Sequence, residues 1–327
     1  MSRHHERHSK PLPNPEHELR KHRDGLGETI RDIYDHRLET RGVGKAGITA
    51  SDVPVTRDGK PARIADGIPA MHAGEYGRHS FAATAQKLVK RPEFTKTPDQ
   101  KMYMDLLATL PSMIDSKEYL RDEEEDYSHS HFETTSEHYN AKMHMVQFNE
   151  VLHSIIDTRP QMQATTVIGL VKSIALRYGY ESDEVNAAAE ETSSALYGAK
   201  HELAFESALH RLPPGYEVID TDAIDDKHGA DLLVRCPNGV IVSIDVKSSA
   251  LSAQRREQKN EAYHRRRGTQ VPRNEIIMYS GFTSEDFRSD YPWRPSEEAI
   301  ERVLPNIEAR LRKAAGMSNL SVAEVTR

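Results

Sequence analysis

The chain has 327 residues, 37% hydrophobic and 29% charged, with a formal net charge of -7, which is long enough for one large domain or two smaller ones with separate cores. The acidic total excludes indiscriminate nucleic-acid binding by the whole surface, and the polar balance points to thinly packed or disordered segments. A single cysteine, Cys236, excludes an internal disulfide framework and fits a reducing compartment.

No apolar run reaches the roughly 20 residues that a membrane-spanning helix needs; the best, Thr165 to Leu176, contains Lys172. The first residues, MSRHHERHSK, lack the apolar stretch of a secretory signal. A cytoplasmic protein without membrane association is therefore expected. Charge is segregated along the chain: Asp115 to Asp126 carries seven acidic against two basic residues, and Arg255 to Arg273 carries seven basic against two acidic.

Residues 1–24 are rich in His, Arg, Lys and Pro and are expected to form a disordered basic tail, with His4, His5, His8, His17 and His22 solvated. Leu26 to Leu38 reads as a short amphipathic helix through Ile30, Ile33 and Tyr34. RGVGKAGIT, Arg41 to Thr49, is not a phosphate-binding loop: one residue separates Gly42 from Gly44-Lys45 where four are needed, and Ala46 stands where Ser or Thr is required. A loop is expected to about Gly77.

From Ser80 to Tyr180 the periodicity is helical, and a mostly helical domain is expected over residues 25–181. The spacing predicts helices at Phe81 to Val89, Pro98 to Leu110, Tyr139 to Ile156 and Ala164 to Tyr178, with Pro111 and Pro160 as breaks. Asp122 to Asp126 reads as a solvated acidic face. His129, His131, Glu133, His138 and His144 are irregularly spaced and have no cysteine beside them, so polar surface is expected rather than a zinc site.

Beyond Ser182 a long helix is predicted, capped by Ser182 and stopped by Pro213, Pro214 and Gly215. Glu202, Phe205, Leu209 and Leu212 fall on one helical face, so a carboxylate heads an apolar stripe. Strands follow at Tyr216 to Thr221, Ala230 to Arg235 and Val240 to Lys247, the last two joined by a Pro237-Asn238-Gly239 turn. In the third strand Val240, Val242, Ile244 and Val246 share one face, and Ser243, Asp245 and Lys247 share the other. The hairpin brings Asp231 toward that acid and base. Two carboxylates and a backbone carbonyl are hard oxygen ligands that suit Mg²⁺ or Mn²⁺. Such an ion activates water and polarises phosphate, with Lys247 orienting the water or stabilising developing charge. Glu202 would complete the metal shell, directly or through a water. The plainer reading is a surface salt bridge between a strand lysine and two acids.

These residues resemble the PD-(D/E)XK nuclease superfamily, the restriction-endonuclease-like fold. The motif glutamate maps to Glu202 in GAKHELAFESAL, the motif aspartate to Asp231 in HGADLLV, and the D/E-x-K signature to Asp245, Val246 and Lys247 in SIDVKSS. Gly229-Ala230-Asp231 stands where the pattern has Pro-Asp. The resemblance covers about Leu196 to Gly281 and implies an α/β (α+β) core of helix, three antiparallel strands, helix and further strand. The helix is expected at Leu251 to Arg267 and the strand at Asn274 to Ser280, within a domain over residues 182–327. It also implies a Mg²⁺-dependent deoxyribonuclease, most simply an endonuclease, with Glu202, Asp231, Asp245 and Lys247 catalytic. The metal would be held by Asp231, Asp245, the Val246 carbonyl and Glu202.

On the helix after the signature, the resemblance makes Gln254, Gln258 and Lys259 candidates to assist the site or contact substrate. Arg255, Arg256, Arg265, Arg266, Arg267 and Arg273 are expected phosphate contacts, DNA being favoured over RNA, and Tyr263 is a candidate for base stacking. A solvated amphiphilic helix is the alternative. DYPWRP, Asp290 to Pro295, reads as a packed corner. A last helix from Ser296 is expected to pack on the sheet through Ile300, Leu304, Ile307 and Leu311. A homodimer, or assembly through the helical half, would suit double-strand cutting. Two other classes stay open: a binding module that keeps the fold without turnover, and an assembly protein in which the helical half dominates.

Overall fold

The structure, a computed structural model, describes residues 14–40, 74–126, 136–219, 230–288 and 292–317. The expected tail at 1–13, the glycine-containing stretch at 41–49, and His129, His131 and Glu133 lie outside them. The fold is mixed α/β and mainly helical. Among the described residues six α-helices come first: α1 (Pro15–Thr40), α2 (Gly74–Leu88), α3 (Pro98–Asp126), α4 (Ser136–Thr158), α5 (Ala164–Tyr178) and α6 (Ser182–Leu209). They are followed by β1 (Glu217–Ile219), β2 (Leu232–Arg235), β3 (Ile241–Lys247), α7 (Ala250–Arg266), β4 (Glu275–Tyr279) and α8 (Glu297–Ala314). Among the described residues no helix is long and apolar enough to cross a membrane.

The first helix starts well before Leu26, so the tail boundary expected at Asp24 falls inside it. The Asn14 side chain accepts from the Glu16 N–H at 3.0 Å, and Pro15 occupies the first helical position, where its missing N–H costs nothing. Leu19 lies so close to Gly169 of α5 that a Cβ there would stand 2.8 Å from a Leu19 methyl. His22 is buried with Nδ1 2.8 Å from the Tyr103 hydroxyl, and Arg23 donates to Ser173 Oγ at 3.1 Å. Polar residues that read as a solvated tail are thus anchored on α3 and α5. The loop expected to run to Gly77 likewise gives way to α2 at Gly74.

Pro111 does not break α3, which continues through it to Asp126. A residue other than proline at 111 would donate its N–H to the Leu107 carbonyl. Here the Tyr178 hydroxyl donates to that carbonyl instead, and the Tyr180 hydroxyl lies 3.4 Å from the Pro111 carbonyl. Pro160 acts as expected, with α4 ending at Thr158.

Two hydrophobic cores result, and α6 belongs to both. The part up to Ala199, through Val185, Ala188, Leu196 and Ala199, packs with α1 to α5. Its last turns, through Ala204, Phe205, Ala208 and Leu209, pack against the sheet. The cap is Glu181 rather than Ser182: the Glu181 N–H donates to the Glu184 carboxylate at 2.7 Å in a capping box. The C-terminal segment also reaches back, since the buried Trp293 donates its indole N–H to the Met162 carbonyl at 2.8 Å.

The sheet has the order β1-β2-β3-β4. β1 to β3 form an antiparallel meander and β4 pairs parallel to β3, the connection between them carrying α7. The β2–β3 turn is closed by Cys236 N–H to Val240 O and Gly239 N–H to Cys236 O, with Gly239 at φ +83°. Val242, Ile244 and Val246 are buried toward α6 and α8, with Ile300, Val303, Ile307 and Leu311 opposite them and Leu304 only half-buried. Asp245 and Lys247 therefore face the other side, where α7 packs.

Replacing Tyr178 by Phe leaves the Leu107 carbonyl buried without its donor and should cost about 1–3 kcal/mol in urea denaturation. The cost should shrink in a Pro111→Ala background, where the restored backbone N–H takes that carbonyl. Equal costs in both backgrounds would detach Tyr178 from the proline.

Candidate functional site

The site forms where the β2–β3 ladder ends. The Asp231 N–H donates to the Ile244 carbonyl at 2.9 Å, one residue beyond β2. The next free donor on β3, the Val246 N–H, goes to Asp231 Oδ2 at 2.6 Å instead of to backbone. This bond holds the Asp231 carboxylate beside Asp245, which is only 5% exposed. Lys247 Nζ ion-pairs with Asp245 Oδ1, donates to the Val246 carbonyl at 3.2 Å and lies 3.9 Å from Asp231 Oδ2. Asp231, Asp245, Val246 and Lys247 are thus brought together, and the ammonium sits among three oxygen-bearing groups.

Glu202 approaches from α6 but is turned toward the helical half. Its Oε2 lies 3.1 Å from Nε2 of His153 on α4. Its charge still reaches Asp231: the Asp231 carboxyl is pushed up to about 8, chiefly by burial and next by Glu202. Asp245 adds to the rise, while Lys247 and the Val246 N–H oppose it. Among the described residues no three His, Cys, Asp or Glu side chains stand as a ready ligand group for a metal. The donor chemistry nevertheless fits a hard divalent cation. Asp231, Asp245 and the Val246 carbonyl offer oxygen only, and a divalent charge would offset both the burial and the neighbouring carboxylates that raise Asp231.

Three groups at the site carried no clear sequence signal. Arg256 of α7, counted with the phosphate contacts, donates its Nε to Asp245 Oδ2 at 2.9 Å. His153 arrives from α4, and its only signal is its place between the buried Leu152 and Ile155. His201, buried next to Glu202, has Nδ1 2.8 Å from Ser280 Oγ, and the Ser280 N–H donates to the Lys247 carbonyl at 2.9 Å. Burial pushes the His201 imidazole below its ordinary value, with the charge of Lys200 adding to the effect.

The other α7 candidates are exposed. Gln254, Gln258 and Arg265 lie on one stripe at i, i+4 and i+11, and Arg255, Lys259 and Arg266 on the next, both turned away from the buried Ala253. Arg256, Tyr263 and Arg267 form the flank nearer the site, the Arg267 guanidinium lying 4.6 Å from the Tyr263 ring centre. Arg273, also exposed, donates to the Lys313 carbonyl at the end of α8 at 3.1 Å.

None of the family models, curated proteins or solved structures compared with the chain matches it.

The Asp231 carboxyl has an ordinary value of 3.8 and stands near 8 in the fold. Between those limits the folded state binds the extra proton, so without a divalent cation stability falls as pH rises through that window. Asp231→Asn, which keeps an oxygen acceptor for the Val246 N–H, should therefore lose less melting temperature than wild type between about pH 6 and pH 8. Parallel curves in a pH series of thermal melts would remove Asp231 as the source.

Proposed function

We propose that the chain is a metal-dependent nuclease that hydrolyses phosphodiester bonds, with DNA as substrate and internal cutting as the mode. The observation that carries this reading is the meeting of Asp231, Asp245, the Val246 carbonyl and Lys247 at the end of one hairpin. The succession of α6, three antiparallel strands, α7 and a parallel fourth strand supports it further. This is the arrangement that the resemblance to PD-(D/E)XK nucleases leads one to expect.

In this reading Asp231, Asp245 and the Val246 carbonyl hold Mg²⁺ or Mn²⁺, with Glu202 acting on the site through its charge or through a water. The ion supplies Lewis acidity toward a phosphate oxygen and a water that is acidic enough to lose a proton near neutral pH. The remaining work falls to the chain. The Val246 N–H fixes one oxygen of Asp231, and Lys247 stabilises negative charge that grows on the phosphate in the transition state. The cationic solvent face of α7 meets the phosphate backbone, which positions the duplex without reading its sequence. A second reading, a DNA-binding module without turnover, is favoured by one observation: Lys247 and Arg256 between them already pair both oxygens of Asp245.

Incubation of plasmid and linear DNA with the protein, with Mg²⁺ or with EDTA, separates the two. Cleavage is expected only with the metal, with linearised products from closed circles, and with losses on the order of 10²–10³-fold or more for Asp245→Ala and Lys247→Met. Binding without cleavage would establish the second reading, and cleavage insensitive to EDTA or to Asp245→Ala would remove the first. Replacing Arg265 and Arg266 by Ala should lower the slope of log affinity against log salt by about 0.9 for each lost phosphate contact. An unchanged slope would place the DNA elsewhere.

A further inference from the structure

The two oxygens of the Asp245 carboxylate are not equivalent. Oδ2 accepts from Arg256 Nε at 2.9 Å, a directional bond from a guanidinium fixed on α7. Oδ1 is buried and, among the described residues, is ion-paired with the ammonium of Lys247, the side chain that also touches the Val246 carbonyl and approaches Asp231. One oxygen is thus committed to the protein scaffold and the other to the cluster where the cation of the proposed reaction would sit.

We propose that Arg256 is a positioning residue that sets which divalent cation the site accepts, by holding Oδ2 so that Asp245 offers a single oxygen. This rests on the metal-dependent reading above and deepens it. Mg²⁺ takes six ligands in a strict octahedron and accepts one oxygen from each carboxylate. Ca²⁺ takes six to eight ligands at longer distance and draws on carboxylates through both oxygens. A carboxylate pinned through one oxygen meets the first requirement and fails the second. Asp231 is restrained in the same sense, since its Oδ2 accepts the Val246 N–H at 2.6 Å, so neither aspartate is at liberty to swing both oxygens onto one ion. The side chain of Arg256 is 45% exposed, so its removal opens no cavity in the core. The rest of α7 stays seated on β3 and β4 through the buried Ala253 and Ile277.

The test is calorimetric titration of the full chain, free of DNA, with Mg²⁺ alone and with Ca²⁺ alone, for wild type, Arg256→Ala and Arg256→Lys. The ratio of Mg²⁺ to Ca²⁺ affinity is expected to fall about tenfold in Arg256→Ala, the lower end of what loss of an outer-shell partner does to a metal site. Arg256→Lys, which keeps a donor for Oδ2, should recover most of it. A ratio that is the same in wild type and Arg256→Ala overturns the inference while the metal-dependent reading stands. So does an equal gain in both affinities, which would mean that Arg256 acts only as a repelling charge. If wild type binds neither ion, it is the metal-dependent reading that fails, and this inference falls with it.

Discussion

A carboxylate as enclosed as that of Asp245 is tolerated in a protein only when positive charge and hydrogen-bond donors replace the water it has given up. Asp245 meets that condition from two directions, by Lys247 two residues along its own strand and by Arg256 on the helix that crosses to β4. The rest of the C-terminal architecture follows from this requirement. β3 runs far enough for Lys247 to share a face with Asp245, and α7, in the connection to the parallel β4, lies over that face. Removing either cation takes the partner from one oxygen of a buried carboxylate, whereas the apolar face of the same strand is secured independently by α6 and α8.

The opposite sign accumulates nearby. Asp231 is drawn beside Asp245 by a single backbone N–H, and the charge of Glu202 reaches it from α6. Burial raises the Asp231 carboxyl first, and the charges of Glu202 and Asp245 raise it further. Salt bridges at a protein surface are solvated and stabilise little. An enclosed cluster of carboxylates is a different kind of object, and it is the reason the metal-dependent reading is preferred to a simple surface pairing.

Much of this was legible in the residues. The alternation through Val242, Ile244 and Val246 fixed which side of β3 carried Asp245 and Lys247, the Pro237-Asn238-Gly239 turn fixed the hairpin, and α5 has the limits its periodicity predicts. Local pattern failed where a distant residue supplied what the local sequence lacked. Pro111 reads as a break because its missing hydrogen bond is visible in sequence, while the Tyr178 hydroxyl that replaces its donor lies far along the chain. His22 and Arg23 read as a tail because nothing nearby explains their burial; Tyr103 and Ser173 do. His153 was missed, and Arg256 was named only as a phosphate contact, for the same reason: a charged residue on a helix gives no hint of which neighbour it will meet.

The unbroken course of α6 has a practical consequence for anyone who would take the molecule apart. At 28 residues it is a rod about 42 Å long, and the two cores share it without a hinge. A cut before Ser182 hands the whole rod to the C-terminal piece, and Val185, Ala188 and Leu196 then face water as an orphaned greasy strip. A cut in mid-rod frays the turn that presents Glu202. Excised fragments will thus be governed by stickiness at that strip, and the intact chain is the smallest unit in which the chemistry can be judged fairly.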